Sequence, residues 1–279
     1  MKVLSFRKMD VAVAVTATLL LLVFAIPSFG QYGGASPQQS PPSDKPAQNP
    51  KPEAPKLNPK EEADYKALTA IADNDKSAAD KKIQLSSQFL QKYPGSRYEE
   101  SVMNQQVTAY YTKQDWNDMY AAADKAIAKD PDDVDVLTVV GWIIPHLYNH
   151  DDPDAQKKLD KAESYEKHAI DVIPTLAKPD TMSDDQFAQA KAGKLSEAHS
   201  GLGLVYFRLQ DFPNSVKELQ LATSDNASPD PTDFYALGAG LQQMNRMPEA
   251  AEAFTKCAGV ASGLQDRCKQ MAAQAKSAK

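Results

Sequence analysis

His146 and His150 stand one helical turn apart, with Asp151, Asp152 and Asp154 just after them, and are the residues best able to hold a metal. Imidazoles at i and i+4 face one side of a helix, and a carboxylate would complete a zinc-like set. The plainer reading is a solvated, charged loop, and the spacing does not lift the pair above it, so no metal or other cofactor is expected. Cys257 and Cys268 are the only cysteines. A turn at Gly259 to Gly263 would fold their helices antiparallel, and an oxidising compartment would then favour a bridge over two buried thiols. His199 falls on a packing face and His168 on an exposed one. The sequence contains no nucleophile elbow, Walker loop, zincin helix or CxxC. Asp151-Asp152 and Asp184-Asp185 read as solvated charges in a loop and at a helix start, where the dipole favours them. The chain is therefore expected not to be an enzyme.

The elements that would position these residues are helices. Gly is scarce and Ala, Lys, Asp and Gln are abundant, and from residue 61 onward apolar residues recur at spacings of three and four. Val107, Gly141, Gly203 and Gly238 align, each mid-way along a helix with Tyr110, Ile144, Tyr206 or Leu241 three places on. A turn follows in three of these units: Gln114-Asp115-Trp116, Gln210-Asp211-Phe212 and Asn245-Arg246-Met247. A second helix then carries small residues, Ala123 and Ala126, Ser215 and Ala222, Ala250 and Cys257, and Pro94, Pro131 and Pro174 close several units. The steps are 34 residues from Val107 to Gly141 and 35 from Gly203 to Gly238, against 62 between Gly141 and Gly203. Two insertions explain the long step: about nine residues at 149–157 and about nineteen at 177–195. In the second, Ser183 and Gln186 form a capping box that starts a helix running towards Tyr206, with Gly193 interrupting it.

This pattern resembles the tetratricopeptide repeat (TPR) family. The segment Tyr110 to Pro131, YYTKQDWNDMYAAADKAIAKDP, carries the resemblance best, with Tyr110, Trp116, Ala123, Ala126 and Pro131 in the family's packing slots. Segments 202–222 and 237–258 are similar, and 61–94 is a degenerate first unit whose ending, FLQKYPGS, resembles bacterial envelope members. The third unit departs from the pattern, with Glu166 where a small or apolar residue is expected and Pro145 inside its first helix. The resemblance implies an all-α, right-handed superhelical solenoid of about five antiparallel helix pairs plus a C-terminal capping helix. Repeats would lie near 61–95, 100–133, 134–176, 196–230 and 231–262, with the cap at 264–279. Stacked pairs share a core that one pair cannot build alone, and the first helices line a groove. In this register the groove carries Asn104, Thr108, Tyr111, Thr138, Trp142, His146, Ser200, Leu204, Phe207, Arg208, Tyr235, Ala239 and Gln242. Aromatic residues and Arg are the usual anchors of such surfaces, while the alternative is that the rings pack against neighbouring units. The family's clamp for C-terminal carboxylates needs Lys, Asn and Arg, and only Asn104 and Arg208 could serve, so that mode is not expected.

The first thirty residues have the form of a signal peptide or uncleaved anchor. Lys2, Arg7 and Lys8 precede an apolar run from Val11 to Ile26, and Ser28 and Gly30 offer small residues for cleavage. Residues 31–60 hold eight prolines and almost nothing apolar, the composition of an extended linker. The chain carries a formal net charge of −6; removing residues 1–30 takes away three basic and one acidic residue and leaves −8. That balance argues against nucleic acid as the partner. The resulting expectation is an exported scaffold of the bacterial periplasm or cell envelope that binds a protein or peptide, touching membrane only through residues 1–30. Two other readings stay open: a metal- or ligand-binding enzyme component built on the His146/His150 loop, and an architectural subunit of an envelope complex.

Overall fold

The computed structural model describes residues 58–73, 75–224 and 229–278. The expected signal segment and nearly all of the expected linker lie outside them. Among the described residues there are eleven α-helices and no strand: α1 (Pro59–Thr69), α2 (Lys76–Lys92), α3 (Glu99–Lys113), α4 (Trp116–Lys129), α5 (Val134–His146), α6 (Ala155–Val172), α7 (Asp184–Arg208), α8 (Phe212–Thr223), α9 (Pro231–Gln243), α10 (Met247–Gly259) and α11 (Gln265–Ser277). None of these is long and apolar enough to cross a membrane. Each helix packs on the next, and α5 packs on α7 and α7 on α9, so the chain is a solenoid of helix pairs with the odd-numbered helices side by side.

Local chemistry sets the helix ends. Asp75, Asp133, Asp211 and Asp230 accept backbone N–H groups at the starts of α2, α5, α8 and α9, satisfying donors that no helix can satisfy itself. Three inner turns share one conformation. Gln114, Gln210 and Asn245 are left-handed, with φ of 63°, 60° and 59°. In each turn the residue after it donates to a carbonyl five back: Asp115 to Tyr110, Asp211 to Tyr206 and Arg246 to Leu241. This is the Schellman closure, and it turns the second helix back antiparallel onto the first.

The core is built from complementary sizes. A Cβ at Gly203 would lie 2.7 Å from Leu219 Cγ, and one at Gly238 would lie 2.8 Å from Phe254 Cδ1. Leu219 and Phe254 each stand sixteen residues beyond their glycine. Sixteen beyond Val107 stands Ala123, fully buried in the same cluster, so the larger residue has changed helices. In the third unit the nine-residue insertion moves the position to Glu166, twenty-five beyond Gly141. Glu166 is fully buried, and a Cβ at Gly141 would lie 2.4 Å from its Oε1 while one at Gly201 would lie 1.9 Å away. Neither carboxyl oxygen has a hydrogen-bond partner. Burial first, then the nearby Glu197 charge, pushes the Glu166 carboxyl well above its ordinary range, with Lys194 opposing.

Two expectations about the irregular third and fourth units are corrected. Gly193 does not interrupt α7, which is continuous over 25 residues from a complete Ser183/Gln186 capping box. A lone glycine costs a helix only about 1 kcal/mol, and neighbouring packing outweighs that. Pro145 does not break α5 either, because it sits one residue before the helix ends. The inner turn of this unit is the loop at 147–154, where the left-handed residue of the other three turns is absent.

Candidate functional site

The site is assembled on the row α3, α5, α7 and α9. On the face of this row, Asp230 at the start of α9 reaches across α7 to lie 3.8 Å from His146 of α5. Burial first, then the charges of Glu197 on α7 and Asp230, raises the pKa of Tyr111 on α3.

Not every residue placed on that face by sequence offers its side chain there. Leu204 is 3% exposed and belongs to the core with Val216 and Leu219. Thr138 and Ser200 are also buried, their hydroxyls donating to Val134 O (2.9 Å) and Asp233 Oδ1 (2.7 Å). Arg208 is engaged, its Nε donating to the Pro145 carbonyl at 2.9 Å and its guanidinium lying over the Tyr148 ring. Tyr111 and Phe207 are half-buried and pack edge-on against Trp116 and Phe212, both pairs with centroids 6.0 Å apart. Trp142 stacks on His146 at 3.8 Å between centroids. Tyr235 packs against Phe254, and Thr108, Ala239 and Gln242 are half-buried.

The sequence reading missed several carboxylates carried on these same helices. Asp133 faces Asn104, and its pKa is pushed up to about 6 by burial first and by the neighbouring Asp135. Asp135 lies 3.1 Å from the buried Lys194 ammonium, and Glu197 lies 3.0 Å from it. Burial opposes the Lys194 charge, but Glu197 and Asp135 outweigh it and hold the ammonium above its usual range. Asp230 Oδ2 lies 3.8 Å from His146 Nε2. Burial alone would raise its pKa, but His146 and the Thr232 N–H hold it below the usual range. His146 donates from Nδ1 to the Trp142 carbonyl at 2.7 Å, because that oxygen can only accept. Ion pairs thus join Asp135 and Glu197 through Lys194, and separately Asp230 to His146. The local signal for these carboxylates is Asp130, Asp132 and Asp133 before α5 and Asp230 before α9, a pattern that by itself indicates helix capping.

His146 and His150 do not act together. His146 is committed to Trp142 and Asp230, whereas His150 is exposed beside Tyr148. Among the described residues no three His, Cys, Asp or Glu side chains converge where a metal could sit. His199 binds Glu218 at 2.7 Å and the part-exposed His168 binds Asp132 at 2.7 Å. Cys257 and Cys268 are joined as a disulfide, with Cα atoms 5.8 Å apart, tying α10 to the final helix.

The chain matches no protein-family model and no curated protein. Two similar solved structures are a thermophilic TPR protein of Thermus thermophilus and a tetratricopeptide repeat protein of Parabacteroides merdae. The first is 18% identical, covers 77% of this chain and 98% of its own, and has a TM-score of 0.48. The second is 10% identical, covers 78% of this chain and all of its own, and has a TM-score of 0.30. The repeat architecture stands on this chain's own helix pairs and matched turns.

Proposed function

We propose that this chain is an exported, non-catalytic scaffold of the TPR type that binds an extended segment of another protein on its concave face. One observation carries the reading: on the row of odd-numbered helices the half-buried Trp142 and His146 of α5 lie together and meet Asp230 at the start of α9, across α7. Rings held at partial exposure supply contact area with little ordering cost, and polar groups around them set orientation. The basic and apolar opening of residues 1–30 and the proline-rich stretch after it support placement in the periplasm or envelope.

Photo-crosslinking in the native envelope tests this. A benzophenone side chain is placed at Thr108 or Gln242 on the inner row, or at Lys125 or Lys256 on the second helices, where both lysines are exposed. The inner positions are expected to capture a common protein that the outer ones do not. The same captures from both faces would reject the groove and favour a packed architectural subunit. Export is tested separately by fusing residues 1–60 to a reporter active only outside the cytoplasm.

A further inference from the structure

We infer that a proline-rich segment of a partner protein binds at a second site, the aromatic-lined cavity that the loop 147–154 closes against α4, with a prolyl ring seated among Trp116, Tyr120 and Tyr148. This site goes beyond the groove reading above, because its rings come from α4 and the loop and none from the row α3, α5, α7 and α9.

The insertion in the third unit builds the cavity. In three other units the paired helices are joined by residues 114–115, 209–211 and 244–246, whereas here residues 147–154 make the connection. Hydrogen bonds of its own shape that loop: Asp151 N donates to Asn149 Oδ1 at 3.1 Å and Asp154 N to Asp152 Oδ1 at 2.9 Å. Lys158 of α6 then pairs with Asp152. The space enclosed is about 180 Å³, with Ile144, Leu147 and Ala155 in its apolar lining. Trp116 and Tyr120 are four residues apart on α4, so their rings share one face. All three rings are half-buried, and two are visibly braced. Trp116 packs edge-on against Tyr111 at 6.0 Å, and the Arg208 guanidinium, held by the Pro145 carbonyl, lies 5.6 Å from the Tyr148 centroid. Rings fixed in advance lose little freedom when a ligand arrives.

The hydrogen-bonding groups left over select the ligand. Among the described residues no protein group bonds the Tyr120 hydroxyl or the Trp116 indole N–H. An indole N–H can only donate. Burial first, then the Asp152 charge, pushes the Tyr120 phenol up to about 12, so it stays an O–H donor. Asp152 and Lys158 neutralise each other at the rim, so neither a cation nor an anion finds a surplus of opposite charge. The ligand that fits is neutral, presents apolar faces and carries acceptors in excess of donors. A proline-rich segment has this chemistry. Its prolyl residues have no N–H, and its extended backbone makes no internal hydrogen bonds, which leaves the carbonyls free to accept beside the pyrrolidine rings. Aromatic-lined grooves recognise such segments in this way. A helical ligand would arrive with its carbonyls already bonded, and an ordinary strand would bring an N–H for every acceptor.

The test uses the protein purified as its host processes it, titrated calorimetrically with two end-capped, neutral peptides, (Pro-Pro-Gln)4 and (Ala-Ala-Gln)4. The proline peptide is expected to bind at least about tenfold more tightly, the scale of one aromatic anchor. Tyr120→Phe keeps the ring and removes the donor, so it should weaken the proline peptide by about threefold or more. Tyr148→Ala should abolish the preference. Tyr120→Phe should also keep the parent urea midpoint, which guards against Tyr148→Ala failing to fold. Trp116 and Trp142 are the only tryptophans, so in a Trp142→Phe background the emission that changes on binding should be that of Trp116. Equal affinities for the two peptides, or binding of neither, would overturn the inference. A preference undiminished in both tyrosine variants, or Trp116 emission unmoved on binding, would overturn the location. The crosslinks at Thr108 and Gln242 judge the groove separately, so either reading can fail without the other.

Discussion

Gly201→Ala should change sign according to what stands at position 166. In the parent chain the new Cβ would lie 1.9 Å from Glu166 Oε1 and 2.6 Å from Cδ. Glu166 is fully buried, so its carboxyl cannot retreat into solvent, and overpacking of this kind costs about 1–3 kcal/mol. Against that stands the better helix propensity of Ala, worth up to about 1 kcal/mol. Gly201→Ala alone should therefore destabilise by up to about 2 kcal/mol, once the propensity gain is subtracted from the overpacking cost. Glu166→Ala alone leaves a cavity but also removes an unpartnered buried carboxyl; the second contribution is about 1–3 kcal/mol and the two oppose each other. In that background the clash is gone, the propensity gain remains, and Gly201→Ala should stabilise by up to about 1 kcal/mol. The coupling between the two sites is then about 2 kcal/mol, well above the few tenths expected of independent positions. Urea unfolding of the four proteins at pH 7, followed by circular dichroism, measures it. Gly141→Ala, whose Cβ would lie 2.4 Å from the same oxygen, should repeat the pattern. A coupling below about 0.5 kcal/mol at both glycines would refute the placement of Glu166 between α5 and α7.

Further outcomes follow from the same geometry. Asp133 has a folded pKa raised to about 6 from 3.8, so the folded chain holds a proton that the unfolded chain releases between those values. Stability is then lost as pH rises from about 4 to 6, by up to about 3 kcal/mol at 1.36 kcal/mol per unit. Asp133→Asn keeps a side chain able to cap α5 and should flatten that part of the pH profile, stabilising at pH 7.5 and not at pH 4, as read by thermal melts. Gln114→Gly and Gln210→Gly relieve left-handed residues at φ of 63° and 60°. Each should raise the urea midpoint by the equivalent of about 0.5–1 kcal/mol, and a loss would mean the turns are not left-handed. Reducing Cys257–Cys268, which closes a loop of sequence separation 11, should cost about 2–3 kcal/mol. Hydrogen exchange should then rise in α11 before it rises elsewhere, and unchanged protection would show that packing alone holds that helix.

The sequence by itself determined the repeat. Apolar spacing of three and four specifies helices, and the triplets at Gln114, Gln210 and Asn245 specify where each pair turns, because a Schellman turn is a local structure. The capping box at Ser183 was legible for the same reason. Failures came where local preference met packing, as at Gly193, which tertiary contacts carry through a continuous α7, and at Leu204, which the register put in the groove and the fold puts in the core. Tertiary structure alone decided the rest. Glu166 departs from the repeat pattern, yet only the fold shows that it fills the space left by Gly141 and Gly201 on two other helices. His146 lies 84 residues before Asp230, and the two meet at 3.8 Å across α7 because of how the helix row stacks. Periodicity specifies which face a side chain takes on its own helix. The charge of a concave surface depends on which faces the accumulated rotation of successive pairs brings together, and no local pattern encodes that rotation.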